Sequence, residues 1–172
     1  MSQTKEIVVA RYNKSASFAN IDGYRVTFYD KSHGHDIEYD KLLSVADNLF
    51  LRNIGREAHT YLMHIINRYE TLADITVFLQ DDATQHSPNI VSMLQNLPDP
   101  LTSYLPFSAM DRRHVNTYGD TRNDKSIWAL AKDFGITLPA EYAIIPHALF
   151  AVPKEIIQKY SVETYKNVLR RF

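Results

Sequence analysis

Short runs of apolar, mostly β-branched residues that end in polar residues recur along the chain. Such runs occupy residues 6–13, 24–30 and 75–79. A buried parallel strand shows this pattern when its carboxyl end opens into a loop. The sequence therefore predicts three strands of a mostly parallel sheet, each with polar side chains at its carboxyl end.

The clearest helical pattern follows the second of these strands, between residues 55 and 69. Apolar residues recur there at the spacing of one helix face, namely Ala58, Tyr61, Leu62, Ile65, Ile66 and Tyr69. The polar face is expected to carry Glu57, Thr60, His64 and Arg68. This periodicity predicts an amphipathic helix. Asn53 is expected to cap the helix, and Gly55 to allow a tight turn into it.

Weaker patterns complete the outline of the fold. They predict a short helix within 40–50, a helix beginning at Ser87 and Pro88, a long loop at about 98–123 that could serve as a lid, a helix over 126–134 ended by Gly135, a strand over 143–152 and a helical region over 154–172. Strands and helices alternate, and 172 residues suit one hydrophobic core. The sequence therefore predicts a single-domain α/β fold over residues 1–172, with a mostly parallel sheet flanked by helices.

Composition removes several classes of function. The chain has 19 basic and 20 acidic residues and a net charge of -1, which argues against an extended nucleic-acid-binding surface. It has no cysteine, which excludes disulfides, thiolate metal sites and cysteine nucleophiles. No signal-peptide pattern and no apolar run of ~20 residues is found, so a soluble cytoplasmic protein without a membrane span is expected.

Polar clusters follow the three predicted strands. They are Arg11 with Tyr12 and Asn13, Asp30 with Lys31, and Gln80 with Asp81 and Asp82. In an open α/β sheet, ligands bind outside the carboxyl ends of the strands because the loops converge there. We therefore expect these clusters to share one rim.

The start of the predicted helix, residues 53–57, adds a second feature. Free N–H groups at a helix start attract an anion, and Arg56 could add a charge-assisted contact to phosphate. Asp81 and Asp82 carry oxygen ligands suited to Mg²⁺ or Mn²⁺, which would bridge to a diphosphate. No glycine-rich phosphate loop, dinucleotide-binding motif or nucleophile elbow is present in the sequence.

Each of these features also has a simpler interpretation. Adjacent acidic residues after a strand commonly act as turn or capping residues. Arg56 and Glu57 could be surface charges of a first helical turn. His59 and His64 suit packed or surface positions better than metal ligation. His86 is of interest because it lies beside the aspartate pair.

Five segments together are similar to the ordered motifs of a known family. They are residues 8–13, 28–31, 53–62, 76–80 and 150–152. By these motifs the chain resembles the domain-of-unknown-function family 3431, which is akin to GT-A glycosyltransferases. The resemblance extends over nearly the whole chain and implies a GT-A-like, nucleotide-diphospho-sugar transferase fold.

The resemblance also implies a nucleotide-diphosphate sugar donor and roles for individual residues. The donor- and substrate-binding residues are expected to be Arg11, Tyr12, Asn13, Asp30, Lys31, Asn53, Gly55, Arg56, Glu57, Gln80 and His147. Among them, the first strand and the Asp30 loop would lie near the base and ribose, and Arg56 near the diphosphate. Asp81, Asp82 and His86 would bind Mn²⁺ or Mg²⁺. The chain departs from the family pattern at Asp81, where a small residue usually follows the glutamine.

The leading hypothesis is a glycosyltransferase that moves a sugar from a nucleotide-diphosphate donor to an acceptor hydroxyl, with Arg56 and the metal stabilising the leaving diphosphate. Asp120 and Glu141 are both candidate bases for that hydroxyl. His147 either lines the acceptor side or packs in the core. Two alternatives stay open: another phosphate-handling enzyme, such as a nucleotidyltransferase or phosphohydrolase, and a non-catalytic nucleotide-sugar-binding module of the same fold.

Overall fold

The computed structural model describes residues 2–32, 47–108, 114–117, 124–139, 141–145 and 147–172, with backbone alone at 47–48, 114–117, 124–128 and 141–144. The strands are β1 (Lys5–Arg11), β2 (Arg25–Asp30), β3 (Asp47–Phe50), β4 (Ile75–Gln80), β5 (Leu105–Pro106), β6 (His114–Thr117), β7 (Glu141–Ile144) and β8 (Phe150–Pro153). The α-helices are α1 (Arg56–Arg68), α2 (Ala83–His86), α3 (Ile90–Gln95), α4 (Asp124–Asp133), α5 (Lys154–Ile157) and α6 (Val162–Leu169).

Six strands form one sheet in the order β3-β2-β1-β4-β8-β5, and β6 pairs with β7 in a separate antiparallel sheet. Strands β1 to β4 run parallel, whereas β8 is antiparallel to both β4 and β5. The predicted α/β fold with a mostly parallel sheet is thus confirmed. The chain places β2 on one side of β1 and β4 on the other. The loops after β1 and β4 can therefore diverge and leave a crevice at the carboxyl edge of the sheet.

Alternate residues of the central strands feed two hydrophobic cores, one on each face of the sheet. On one face, Ile7 and Val9 of β1 pack in a cluster that includes the buried side chains of α3. On the other face, Val8 and Phe78 pack with residues of α1 and α6, such as Tyr61 and Tyr165. Because both faces are covered, the central strands are continuously apolar, as the sequence predicts.

Helix α1 is rotated relative to the predicted amphipathic face. Thr60 and His64, predicted on the polar face, are 0% exposed, whereas Ala58, predicted on the apolar face, is exposed. The strand beneath the helix explains the difference, because it also carries a buried charge. Glu6 of β1 is 0% exposed, and its Oε2 atom lies 3.6 Å from His64 Nε2.

Glu6 is the centre of a buried polar network under α1. Its carboxylate accepts hydrogen bonds from Arg25 Nη2 at 2.5 Å and from Thr27 Oγ1 at 2.7 Å. The other nitrogen of the His64 ring, Nδ1, lies 3.1 Å from the Tyr29 hydroxyl. Burial alone would raise the pKa of Glu6, but His64, Arg25 and Thr27 together lower the pKa to about 2. The network therefore holds an ionised carboxylate inside the protein.

Two predictions for weakly patterned segments are wrong where the structure describes them. Residues 47–50, the end of the helix predicted within 40–50, form β3, while 40–46 lie outside the described residues. The strand predicted over 143–152 is broken into the end of β7 and the start of β8. Its interruption contains His147 and Ala148, both with left-handed backbone, which an extended strand cannot accommodate.

The predicted long loop is partly ordered by the main sheet. Residues 105–106 pair with β8, and Phe107 is fully buried. Residues 109–113 and 118–123 of that loop, where a lid is predicted, lie outside the described residues. The helix predicted at Ser87 and Pro88 begins later, at Ile90.

The C-terminal helices agree with the sequence. Helix α4 covers the predicted 126–134, apart from its last residue, and Gly135 follows it with a φ of 64°, as a helix stop requires. Helices α5 and α6 form the predicted C-terminal helical region. Among the helices described, none has the length and hydrophobicity needed to cross a membrane.

Candidate functional site

A cleft of about 680 Å³ lies at the carboxyl ends of β1 and β4. This volume suits a small-molecule site. The cleft is lined by Ala10, Arg11, Tyr12, Lys14, Lys31, Asn53, Arg56, Glu57, Gln80, Asp81, Asp82, His86 and His147. It occupies the crevice that the strand order creates, so the fold places the predicted polar clusters around one opening.

Asp81, directly after β4, fixes the loop that follows β1. Its Oδ2 atom accepts hydrogen bonds from the backbone N–H of Tyr12 at 2.6 Å and of Lys14 at 3.1 Å. The backbone N–H of Asp81 donates to the carbonyl of Ala10 at 3.2 Å. Burial raises the pKa of Asp81, an effect that these two N–H groups oppose and the neighbouring Asp82 reinforces. Asp81 thus serves as a clamp between the two loops.

Arg11 and Asp30 form a second fixed element behind the cleft. Both side chains are fully buried, and Arg11 Nη1 donates to Asp30 Oδ2 at 2.7 Å. Arg11 Nε also donates to the carbonyl of Lys14 at 3.0 Å, and Asp30 Oδ1 accepts from the backbone N–H of Ser32 at 2.7 Å. The pair therefore braces the loops after β1 and β2.

Lys31 performs the same task for the start of α1. It is 3% exposed, and its Nζ atom donates to the carbonyls of Ile54, at 2.8 Å, and Arg56. Burial lowers the pKa of Lys31, and the nearby Glu57 carboxylate opposes that shift. A buried ammonium that binds two carbonyls holds the turn before the helix in one conformation.

The helix start itself differs from the prediction. Gly55, with a φ of 60°, is the N-cap residue of α1, and no side chain caps the helix, so Asn53 lines the cleft without serving as the predicted cap. Arg56 follows with a φ of 48°. The first turn of α1 therefore presents an uncapped helix start, together with Arg56 and Glu57, to the cleft.

Asp82, Lys14 and two histidines form the opposite wall. Asp82 Oδ2 lies 3.0 Å from Lys14 Nζ and 3.5 Å from His86 Nε2. The rings of His86 and His147 stack with centroids 4.1 Å apart. Burial raises the pKa of Asp82, but Lys14 and His86 outweigh it and lower the pKa below its ordinary value. This wall can supply both a positive charge and a histidine held by a carboxylate.

Left-handed backbone concentrates around this cleft. In the described part of the chain, the non-glycine residues with positive φ are Asn13, Arg56, His147 and Ala148. Arg56 and His147 line the cleft, and Asn13 and Ala148 are adjacent to lining residues. Such conformations cost of order 1–3 kcal/mol each and persist where surrounding structure enforces them, often at functional sites. The strain therefore marks the cleft independently of its charges.

Most of the predicted site residues meet in the cleft. The exceptions among the described donor-site residues are Asn13, Asp30 and Gly55, which lie behind or beside the lining residues. Asp120 lies outside the described residues, and Glu141 belongs to β7, where only the backbone is described. Sequence reasoning missed Lys14 and Ala10. The signal for Lys14 was its position directly after the first polar cluster.

The acidic pair does not fit a preformed site for the predicted Mn²⁺ or Mg²⁺. Among the residues described, no three histidine, aspartate or glutamate side chains are grouped so that they could hold a metal ion. The Oδ2 atom of Asp81 is occupied by two backbone N–H groups, and that of Asp82 by the Lys14 ammonium. A divalent cation at Asp82 Oδ2 would compete with that ammonium.

The comparison with protein families shows the family of the chain. The model of the family described as "Protein of unknown function (DUF3431)" matches residues 32–172. This chain belongs to the DUF3431 family. The resemblance predicted a match over nearly the whole chain. The matched residues are fewer, and the segments 8–13 and 28–31 lie before them. In this DUF3431 chain, Arg56 and Asp82 lie within the matched residues, whereas Lys14 does not.

Two solved structures that are similar to this DUF3431 chain contain a bound nucleotide or nucleotide sugar. One is a mannosyltransferase from Pyrobaculum calidifontis in complex with GDP-Man and Mn²⁺, with 14% identity, a TM-score of 0.46, and coverage of 92% of this chain and 47% of that one. The other is CMP:2-keto-3-deoxy-manno-octonic acid synthetase complexed with CTP, with 14% identity, a TM-score of 0.43, and coverage of 92% and 77%.

The chain thus spans about half the length of the mannosyltransferase. At these identities and TM-scores, the two likenesses assign neither a function nor site residues to the DUF3431 chain. A search of curated proteins gives no match.

Proposed function

We propose that this protein transfers a sugar from a nucleotide-diphosphate donor to an acceptor hydroxyl. The observation that carries the proposal is the convergence of Lys14, Arg56 and the uncapped start of α1 on one cleft at the switch point of the sheet. Open parallel sheets bind nucleotides at this position, and helix starts and cations there bind phosphate groups. The resemblance of the sequence motifs to GT-A transferases favours the same function.

The proposed reaction breaks the bond between the sugar carbon and the donor phosphate oxygen, while the acceptor oxygen bonds to that carbon. The leaving diphosphate takes the bonding electron pair and becomes more negative. Arg56 has a backbone φ of 48°, and its side chain is exposed. Within the described part of the chain, no ion pair involves its guanidinium. It is therefore available to bind the diphosphate with two parallel hydrogen bonds. Charge stabilisation of this kind lowers the barrier most when the cation is already in place.

The acceptor hydroxyl must lose its proton during the transfer. Asp120 and Glu141 stay candidates for that base by the sequence prediction. His86 joins them because it lines the cleft and lies 3.5 Å from the Asp82 carboxylate. A histidine held by a carboxylate is a common general base.

Nucleoside diphosphates test the proposal directly. We expect UDP, GDP, CDP or ADP, in hundredfold excess over its Kd, to raise the midpoint of thermal unfolding by roughly 5 °C or more. The Arg56→Gln variant should lose this rise. Arg170→Gln is a matched control because Arg170 is an exposed arginine that does not line the cleft and that, among the described residues, pairs with Glu163 and Asn167. It should keep the full rise.

Other outcomes of the same assay favour the alternatives. A rise with nucleoside triphosphates alone would indicate a nucleotidyltransferase, and a rise with phosphate monoesters alone would indicate a phosphohydrolase. Incubation with nucleotide sugars then separates an enzyme from a binding module. Slow release of nucleoside diphosphate is expected of a transferase, and binding without any release would contradict turnover.

A further inference from the structure

Lys14 is held in the cleft at three points. Its backbone N–H donates to Asp81 Oδ2 at 3.1 Å, and its carbonyl accepts from the buried Arg11 guanidinium at 3.0 Å. Its Nζ atom lies 3.0 Å from Asp82 Oδ2. The adjacent Asn13 adopts a φ of 64°. The loop thus fixes both the backbone and the ammonium of this residue before any ligand binds.

The ammonium occupies the Oδ2 atom of Asp82, one of the two oxygens that this carboxylate could offer to a metal ion. A divalent cation would have to expel it or accept a positive charge within hydrogen-bond distance of its ligand. Asp81 offers little compensation, because its buried carboxylate already binds two backbone N–H groups. The lysine side chain is nevertheless 46% exposed, so its remaining N–H groups can reach a ligand in the cleft.

We propose that the Lys14 ammonium supplies the positive charge that a divalent cation would otherwise supply at the donor diphosphate, so that donor binding is independent of metal. This inference rests on the proposed function, because it concerns how the same cleft binds a nucleotide diphosphate. It assigns Lys14 as a donor-binding residue and Asp82 as the residue that positions it.

Electrostatics explains why a cation is required at this point. Glu57, Asp81 and Asp82 are all close enough to the buried Tyr61 hydroxyl that, after burial itself, their charges raise the pKa of Tyr61. A diphosphate that enters the cleft therefore approaches acidic side chains, and like charges repel strongly where water is scarce. Lys14 belongs to the loop after β1 and extends its ammonium to Asp82, where it can bind phosphate oxygen while still neutralising the carboxylate.

Calorimetric titration with the nucleoside diphosphate that stabilises the protein tests the inference. Titrations are run in EDTA and in MnCl₂ for the wild type, Lys14→Gln, Lys14→Arg and Lys166→Gln. Lys166 is the matched control, because it is a similarly exposed lysine in an ion pair with Glu163 at 3.4 Å, on α6. Thermal unfolding of each variant checks the fold. Because exposed ion pairs contribute little stability, Lys14→Gln should fold normally.

Four results are expected together. The Kd of the wild type in EDTA stays within about twofold of its value in MnCl₂, and Lys14→Gln raises the Kd in EDTA by about tenfold or more. Lys14→Arg and Lys166→Gln bind nearly as well as the wild type. MnCl₂ partly restores binding to Lys14→Gln, because removal of the ammonium frees Asp82 for a metal.

The opposing results are distinct from one another. Binding by the wild type that disappears in EDTA and returns with MnCl₂ would overturn the role of Lys14 and leave the proposed function standing. Unchanged affinity of Lys14→Gln in EDTA would do the same. Absence of binding by any nucleoside diphosphate, with or without metal, would overturn the proposed function and this inference with it.

Discussion

Buried charges lie at both ends of β1, but the two ends use them differently. Near the amino end, the Glu6 carboxylate binds the side chains of Arg25, Thr27 and His64, which fixes α1 on the sheet. At the carboxyl end, Asp81 binds backbone N–H groups of a loop. Lys31 there binds backbone carbonyls of the helix start.

This difference distinguishes residues that stabilise the fold from residues that also shape the cleft. Around Glu6 the side chains bind one another, and Glu6 and His64 at the centre of the set are fully buried although Arg25 is half-exposed. Side chains that bind loop backbone instead fix the loops around the cleft, which Lys14, Arg56 and Asp82 line. Substitutions in the first set should therefore change stability alone, and those in the second should also change what the cleft binds.

The largest effect is expected from Glu6→Gln. Glu6 is fully buried, although its partner Arg25 is half-exposed, and removal of one partner from a buried charge network typically costs about 3 kcal/mol of unfolding free energy. The folded pKa of Glu6, about 2, lies below its ordinary 4.5, so its stabilising contribution is full above pH 4.5 and is lost as the pH falls toward 2. The stability gap between wild type and variant should thus shrink between pH 7 and pH 3, as measured by urea unfolding.

Glu163→Gln provides the control for this measurement. Glu163 forms ion pairs with Lys166 and Arg170, but all of these side chains are substantially exposed. Its substitution should cost under about 0.5 kcal/mol. A gap for Glu6→Gln that is no larger than this, or that does not change with pH, would show that the buried network is not the stabilising element. Nucleoside diphosphate affinity should be unchanged in both variants.

These two regions also show what the sequence could and could not predict. Strands β1, β2 and β4 were predictable because their apolar runs are long enough to be buried on both faces. The orientation of α1 was not, because His64 faces a buried carboxylate and Thr60 is buried beside the sheet, whereas hydrophobic periodicity treats polar residues as exposed.

The candidate site was predictable as a set of strand ends but not as a set of contacts. Most of the polar residues at those ends line the cleft, since the topology of a parallel sheet brings them together. Whether a carboxylate already binds an N–H group or an ammonium depends on the conformation of the loops. That conformation includes left-handed backbone at Asn13, Arg56 and His147, which residue type predicts only at the asparagine. The competition between Lys14 and a metal was therefore invisible in the sequence.

The second prediction compares two glycines with similar backbone. Gly55 and Gly135 have φ values of 60° and 64°. A Cβ at Gly135 would meet nothing within 4 Å, whereas one at Gly55 would lie 2.8 Å from His59 Cβ and 2.6 Å from the Phe172 ring. Gly135→Ala should therefore cost ~1 kcal/mol for the left-handed backbone alone. Gly55→Ala should cost ~2 kcal/mol or more, because His59 lies on the helix and cannot withdraw as the Phe172 ring can.

Thermal and urea unfolding measure this difference, and a nucleoside diphosphate titration extends it to the cleft. Gly55→Ala shifts the start of α1 and should weaken binding, whereas Gly135→Ala should not. Equal loss of stability in the two variants would mean that the close approach at Gly55 relaxes without cost.

The smallest effect is expected from two buried tyrosine hydroxyls, one beside the cleft and one in the Glu6 network. Tyr61 donates to the carbonyl of Ala148 at 3.2 Å, beside His147, whereas the Tyr29 hydroxyl lies 3.1 Å from His64 Nδ1 in the Glu6 network. Tyr61→Phe and Tyr29→Phe should each cost ~1 kcal/mol or more, since each removes at least one hydrogen bond. Only Tyr61→Phe should shift the imidazole resonances of His147 in a proton–carbon correlation spectrum, because only that hydroxyl supports the strained turn on which His147 lies. A shift of similar size in Tyr29→Phe would show that the Glu6 network is coupled to the cleft and would contradict the separation between the two regions.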